Sequence, residues 1–296
     1  MTVAALLDEW LEDMRSAVSR RYHVNIESIV RRHLKPCVGD AKLARLDAQA
    51  ARNLHKRKSA EGLRPSTVRR IHDTLEQAVR FAVRRKYLHT NPLEDARPPT
   101  GKASAMDVLT SEQITRLLDA ARGDRFEAVY ALGALCGLRV GEALSLRHED
   151  VDLIEGTIII RRKLWRNRTY PPKTSASEAT LRIPTRALDV LRKHAAYKGH
   201  PNEGWLFPTK HGNPTSAGNF QRHWKAMLRK SDLPESFTFH QLRHTTASLL
   251  LNESVPVPVV SKYLRHANPG ITMSTYAHMI DGTGGIAATG MDAALG

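Results

Sequence analysis

Apolar positions recur at steps of three and four through residues 1 to 90, the period of helices that bury one face. Leu6, Leu7, Trp10 and Leu11 mark one helix, and Ile26, Ile29 and Val30 a second, interleaved with Arg31, Arg32 and Lys35. The clearest run follows Pro65. There Val68, Ile71, Leu75, Val79, Ala82 and Val83 share a face, with Arg69, Arg70, Arg80, Arg84, Arg85 and Lys86 around it. From Asn91 to Asp107 the pattern lapses into NPLEDARPPTGKASAMD, whose Pro, Ala and small polar residues have the character of a linker. Thr110 and Gln113 then stand at capping-box spacing before ITRLLDAAR, the opening of a second domain. The pattern predicts a helical domain over 1–95, a linker over 96–107 and a second domain over 108–296 with a tail from about residue 280.

In that second domain a long apolar helix runs from Phe126 to Cys136 and stops at Gly137, and another begins almost at once in LRVGEALSL. Arg139 therefore falls at or just before a helix N-terminus, where a guanidinium and backbone N–H groups can meet one anion. Glu142, one turn on, can orient Arg139 or complement the helix dipole. At 157–183 the period changes. TIIIRRKL and ATLRI are short and β-branched, joined through RNRTYPPKTSASE, which predicts a small antiparallel sheet with a mobile tip carrying Lys173 and Ser177. ALDVLRKHAAY predicts a helix, and WLFPTKHGNPTSAGNFQRHWKAMLRK a turn-rich loop leading into a basic helix. After the helix in FTFHQLRHTTASLL, the segment VPVVSKYLRHANPGITMSTYAHM predicts a short helix bearing His266, a Pro-Gly turn and a further segment with Tyr276.

Charge changes the picture. The 296 residues carry a net +15, an excess suited to a polyanion. Residues 1–98 hold 20 Lys and Arg against 12 Asp and Glu, and the remainder 25 against 18, so both domains are basic and both suit nucleic acid. The arginines after Pro65 read either as a solvated face or, by their density, as phosphate contacts. Two cysteines exclude a disulfide framework or zinc ribbon, and Cys136, in the run AVYALGALCGL, reads as a buried thiol. No apolar stretch is long enough to span a membrane and the N-terminus is acidic, so a cytosolic protein is expected.

The segment HQLRH is close to HExxH, the helical zinc motif of metalloproteases. His240 and His244 share a helix face, but the position of the required base holds Gln241, which cannot take a proton. Arg243 would place a permanent charge beside a cation. An anion bound bidentately, above all a phosphate, suits it better. Ordinary polar residues at a helix start are the alternative that these five residues alone leave open; no metal is expected here.

The order Arg139 in GLRVGEALSL, Lys173 in PPKTSASEATLRI, His240 and Arg243 in HQLRH, His266 in YLRHANP and Tyr276 in STYAH resembles the tyrosine recombinases, also called the phage integrase family. The resemblance covers essentially the whole chain, with 23 residues from Arg243 to His266 and 10 from there to Tyr276. It implies an all-α, SAM-like core-binding domain and a mixed α+β catalytic domain with a small antiparallel sheet, closing as a basic clamp on duplex DNA. It further implies a site-specific recombinase that integrates and excises a phage or other mobile element. Such an enzyme acts as a homotetramer on core-type attachment sites, with a directionality factor as an optional partner.

The roles implied are specific. Arg139 and Arg243 clamp the non-bridging oxygens, and Tyr276 attacks to give a 3′-phosphotyrosyl intermediate that needs no cofactor to religate. Lys173 protonates the departing 5′-oxygen, His240 assists as acid or base near Tyr276, and His266 holds a phosphate oxygen. Glu142 and His244 support the site, and Arg69, Arg70, Arg80, Arg84, Arg85 and Lys86 are the candidate DNA contacts. Two departures stand out. Arg265 occupies the place where the family usually has Gly in LGH, so the chain either turns differently there or gains a phosphate contact. The helical domain also begins at about residue 3, which leaves no room for the arm-binding domain of many phage integrases and predicts recombination at short core sites. The Gly-rich tail after Tyr276 is expected either to pack on a neighbouring subunit or to be disordered. A chromosome-dimer-resolving recombinase, a type IB topoisomerase and an inactive DNA-binding regulator are the rival readings of the same pattern.

Overall fold

The computed structural model describes residues 1–101, 107–165, 168–170, 179–196 and 203–266, with positions 268, 270, 273, 292 and 293. The chain divides into two compact units, Met1–Ser104 and Ala105–Gly296, each with its own core.

The first unit is helical. α1 (Val3–Met14) starts where the Thr2 hydroxyl accepts the Ala5 N–H at 3.2 Å. α2 (Arg20–Ile29) continues through a π-helical turn, Val30–Leu34, into α3 (Lys35–Val38). α4 (Ala48–Ala60) and α5 (Pro65–Arg84) follow. α5 buries Val68, Ile71, Leu75, Val79 and Ala82, as their spacing predicts, and all six basic residues named above are exposed. Two of the six are engaged within the unit: Arg80 pairs with Glu76 at 2.8 Å, and Arg85 pairs with Asp13 at 2.8 Å while lying over Phe81. The apolar pattern does not reveal α4, because its buried positions Ala51, Leu54, His55 and Lys58 keep helical spacing without being uniformly apolar. Lys58 reaches Glu61 at 2.8 Å, and His55 Nε2 meets His72 Nδ1 at 3.1 Å.

The second unit opens with α6 (Ser111–Ala120). Its capping box is complete: Thr110 Oγ1 accepts the Gln113 N–H at 3.3 Å, and Gln113 Oε1 accepts the Thr110 N–H at 2.9 Å. α7 (Glu127–Cys136) is buried nearly all round and forms the centre of the unit. The one-turn α8 (Val140–Ala143) precedes the strands β1 (Val151–Asp152), β2 (Thr157–Ile160), β3 (Lys163–Trp165), β4 (Arg168–Tyr170) and β5 (Ala179–Arg182). α9 (Thr185–Ala196), α10 (Ala217–Lys230), α11 (Phe239–Asn252) and α12 (Val257–Tyr263) complete the order.

The strands pair antiparallel in two groups. β1, β2 and β5 lie side by side, with Ile158 opposite Leu181, and β3 pairs with β4. The run TIIIRRKL is thus two strands rather than one. It breaks at Arg161 and Arg162 because both guanidiniums turn to the buried carboxylate of Asp150. The ring cluster of Phe126, Tyr130, Phe220, Trp224 and Phe239 packs α7 against α10 and α11, and Trp224 Nε1 donates to the Phe237 carbonyl at 2.9 Å. A Cβ at Gly133 would lie 2.3 Å from Phe239 Cζ, so the close approach of α7 and α11 depends on that glycine. Among the described residues no helix is long and apolar enough to cross a membrane.

Candidate active site

The site is built around the end of α7. Gly137 closes that helix in the left-handed region, at φ 61°, which an L side chain adopts at a cost. A Cβ there would also sit 2.5 Å from Leu264 Cδ2. Its carbonyl turns toward α11, where Arg243 Nη1 donates to it at 2.9 Å. Arg243 is 2% exposed, a guanidinium held in the interior by backbone. α11 is itself pinned to α7, since the Thr246 hydroxyl donates to the Ala134 carbonyl at 2.9 Å. Thr245 Oγ1 accepts the Leu109 N–H at 3.1 Å, which ties the start of the unit to the same helix.

Two residues after Gly137 the chain starts α8, and Arg139 is its N-cap residue with extended backbone. Glu142 Oε2 accepts the Arg139 N–H at 3.0 Å, while its Oε1 pairs with Arg139 Nη1 at 2.7 Å. The two expected roles of Glu142 coincide: it satisfies a helix-terminal N–H and it aims the guanidinium. Burial raises the Glu142 carboxyl, but Arg265 and Arg139 beside it prevail and hold it below its ordinary range. α8 rests on the β3–β4 hairpin, where a Cβ at Gly141 would lie 2.8 Å from the Leu164 carbonyl oxygen. Ser145 Oγ approaches the carbonyls of Glu142 and Arg162 at 2.9 and 2.8 Å, linking α8 to the strand region.

In HQLRH, Gln241 is spent on the helix start. Its Oε1 accepts the Thr238 N–H at 2.6 Å and the Thr238 hydroxyl at 2.8 Å. His240, on the first turn, keeps an exposed edge and meets His244 edge to face, with ring centroids 5.2 Å apart. Withdrawal from water, together with His244, Arg139 and Arg243, pushes the His240 imidazole down to about 4. His266 is pushed down to about 4 by its own burial and by the same two arginines, His244 and Arg265. Partial desolvation and the cations beside them keep both rings neutral near pH 7, and a phosphate would find several positive groups converging there.

His266 does not lie within α12. The helix ends at Tyr263, and Arg265 turns left-handed at φ 57°. The His266 N–H donates to the Ser261 carbonyl at 3.0 Å and the Arg265 N–H to the Lys262 carbonyl at 3.0 Å, a Schellman closure. Helix-to-loop reversal, rather than the helix itself, presents this imidazole. Arg139, Glu142, Arg243, His240, His244 and His266 are thereby gathered in the second unit. Lys173, Ser177 and Tyr276 lie outside the described residues, as does most of the tail after Tyr276.

The family model described as the phage integrase family matches residues 107–282, more than half of the chain. The chain belongs to the phage integrase family. A relative from Halalkalibacterium halodurans named tyrosine recombinase XerC is 31% identical over 223 residues, covering 72% of this chain and 71% of the relative. A tyrosine recombinase XerC-like protein of Caldanaerobacter subterraneus subsp. tengcongensis is 26% identical over 95% of this chain and 80% of its own. Among solved structures, the Tn1549 transposon integrase in complex with a circular intermediate DNA superposes with a TM-score of 0.82 at 20% identity, covering 93% of this chain and 95% of that one. A lambda integrase dimer bound to a COC′ core site gives 0.74 at 21% identity, covering 92% and 97%. These structures share the fold, and family membership carries DNA strand cleavage and rejoining at specific sites.

The sequence pattern does not disclose two parts of the site. The Gly137 carbonyl as a seat for guanidiniums leaves no mark in side-chain chemistry beyond a helix-ending glycine. Arg265, whose Nη2 lies 3.1 Å from Glu142 Oε2, is visible in sequence only as an unexpected side chain before His266.

Proposed function

We propose that this chain integrates and excises a mobile element by cutting and rejoining DNA at short core-type sites as a homotetramer, through a 3′-phosphotyrosyl intermediate. The observation that carries the reading is Arg243 held at 2.9 Å on the Gly137 carbonyl, two residues from Arg139, whose own guanidinium is aimed by Glu142. Two anchored guanidiniums and two neutral imidazoles form a site made for one phosphodiester.

The steps balance without a co-reactant. The Tyr276 phenol oxygen attacks phosphorus as its proton passes toward His240, whose imidazole is unprotonated near pH 7 and so able to accept it. Arg139, Arg243 and His266 stabilise the charge on the non-bridging oxygens as the bond to the 5′-oxygen breaks. Lys173 supplies the proton to that oxygen. Attack by the 5′-hydroxyl of the partner duplex on the phosphotyrosine reverses each step and restores the enzyme. The number of phosphodiesters is unchanged, which is why no energy-carrying cofactor is required. Arg69, Arg70, Arg84 and Lys86, exposed at α5 and its C-terminal end, are the proposed backbone contacts, with Arg80 and Arg85 partly committed to acidic neighbours. A cytoplasmic location and a directionality factor complete the proposal.

The test is strand exchange between two duplexes, one labelled and one not, each carrying the site selected by this protein from a random-sequence pool, in the presence of a chelator. Recombinant products of both predicted lengths support a recombinase. Relaxation of supercoils without exchange would favour a topoisomerase, and specific binding without either would favour a regulator. Relatives carry both integrase and XerC names, so a resolving recombinase is the second reading. Exchange that requires a second, different recombinase would select it.

A further inference from the structure

Among the described residues, four that are not glycine adopt positive φ: Lys86, Asp232, Ser254 and Arg265. Each follows a helix end and closes it by the same pair of backbone hydrogen bonds, so a left-handed residue at that position is a habit of this chain and does not by itself single out Arg265. Its side chain does. Lys86, Asp232 and Ser254 are exposed. The Arg265 side chain is 3% exposed and folds back into the unit, where Nη2 lies 3.1 Å from Glu142 Oε2 and 3.5 Å from the Gly137 carbonyl, and Nη1 donates to the Tyr263 carbonyl at 3.0 Å.

Glu142 is therefore shared. One carboxylate stands between two guanidiniums: Oε1 faces Arg139 at 2.7 Å and Oε2 faces Arg265 at 3.1 Å. The Gly137 carbonyl is shared in the same way between Arg243 and Arg265. Without Arg265 the Arg139–Glu142 pair would be electrically neutral, and the guanidinium that faces solvent would give up part of its attraction for a phosphate to its own carboxylate. With Arg265 present, the group of three keeps a net positive charge while the carboxylate still fixes the Arg139 fork. Both terminal nitrogens of Arg265 are already engaged, Nη1 by the Tyr263 carbonyl and Nη2 by Glu142 and the Gly137 carbonyl, so of the two outcomes open at this departure from LGH, a new phosphate contact is not the one these contacts support.

We propose that Arg265 is a positioning residue of the cleavage site, acting through Glu142 to hold Arg139 aimed and positively biased toward the scissile phosphate. The inference rests on the recombinase reading and deepens it. Holding Arg265 in place is not free. The left-handed backbone costs energy that glycine would avoid, and the buried Nε–H has no hydrogen-bond partner among the described residues. Arg265→Gly removes the ion pair and both of those costs together, so folding stability is expected to change little while cleavage falls. A purely structural ion pair predicts the opposite ordering.

The experiment measures single-turnover formation of the covalent adduct on a nicked duplex bearing the selected site, together with non-covalent affinity for the same duplex and thermal unfolding. Arg265→Gly and Arg265→Gln are expected to cleave about tenfold or more slowly than wild type, the size of a coupling between residues sharing one ionic network. Affinity should stay close to wild type in both, and Tm in Arg265→Gly, whereas Arg265→Gln keeps the left-handed backbone without the ion pair and should unfold at a lower temperature. Arg265→Lys, which keeps the charge but not the fork, should recover part of the rate. In a Glu142→Gln background, Arg265→Gln should change the rate by less than about twofold, because the carboxylate through which it acts is gone. Wild-type cleavage by Arg265→Gly, or full additivity with Glu142→Gln, would overturn the inference. Absence of any adduct with wild type would instead overturn the recombinase reading on which it stands.

Discussion

Arg243 and Lys173 make the sharpest demands on single side chains. Arg243→Lys keeps a charge but cannot both hold the Gly137 carbonyl and present a fork to phosphate, so single-turnover cleavage should fall by roughly 10²–10³-fold with site affinity largely kept. Lys173, as general acid, should be dispensable when the leaving group needs no proton. Lys173→Ala is expected to cleave ordinary DNA about 10²–10⁴-fold more slowly and to regain most of the rate on a substrate whose 5′-bridging oxygen is replaced by sulfur. Equal loss on both substrates would remove Lys173 from that role. The two imidazoles give a pH signature in the fold itself. His240 and His266 are held near 4, below the ordinary 6.5, so between those values the unfolded chain binds protons that the folded chain refuses. Their contribution to stability is fully present above about pH 6.5 and is lost as pH falls toward 4. Denaturant unfolding at a series of pH values should show that decline in wild type and a shallower one in a variant with both residues changed to Asn.

Helix pairs, rather than single residues, decide whether the site forms. Gly133→Ala drives a methyl into Phe239, and because that ring is enclosed by Phe220 and Trp224 it has little room to yield. The change should cost about 1–3 kcal/mol in denaturant unfolding, the usual penalty of overpacking, and an unchanged midpoint would show that α7 and α11 separate more easily than their packing suggests. At this scale the sequence is informative where periodicity or a cap has a clean physical cause: the α5 face, the Thr110–Gln113 box and the stop at Gly137 all stand where their residues put them. It is uninformative where tertiary contacts override local pattern. α4 is hidden because His55 and Lys58 take buried positions. β2 and β3 read as one strand because the pull of Asp150 on Arg161 and Arg162 comes from outside the run, and His266 reads as helical because the Schellman closure that ends α12 leaves no glycine to mark it. Within the site, residue types and order are legible because phosphate chemistry restricts them. That Glu142 is shared, and that a backbone carbonyl seats two arginines, depends on distances that no spacing encodes.

For the whole molecule the governing quantity is charge. A net +15 spread over both units predicts DNA binding whose affinity falls linearly with salt on logarithmic axes. Changing Arg69, Arg70 or Arg84 to Gln should weaken binding to all sequences alike and lower that slope by about one for each phosphate left without its cation. A slope unchanged by all three would place the phosphate-binding residues elsewhere. Arg80 and Arg85, held by Glu76 and Asp13, should matter less. A covalent link to DNA requires the binding surface, the assembled site and the nucleophile together. The most direct measurement incubates wild type and Tyr276→Phe with a nicked duplex bearing the selected site, in chelator, and resolves the products under denaturing conditions. A protein–DNA adduct formed by wild type alone is the predicted result. No adduct with either protein, despite specific binding to that duplex, would contradict it.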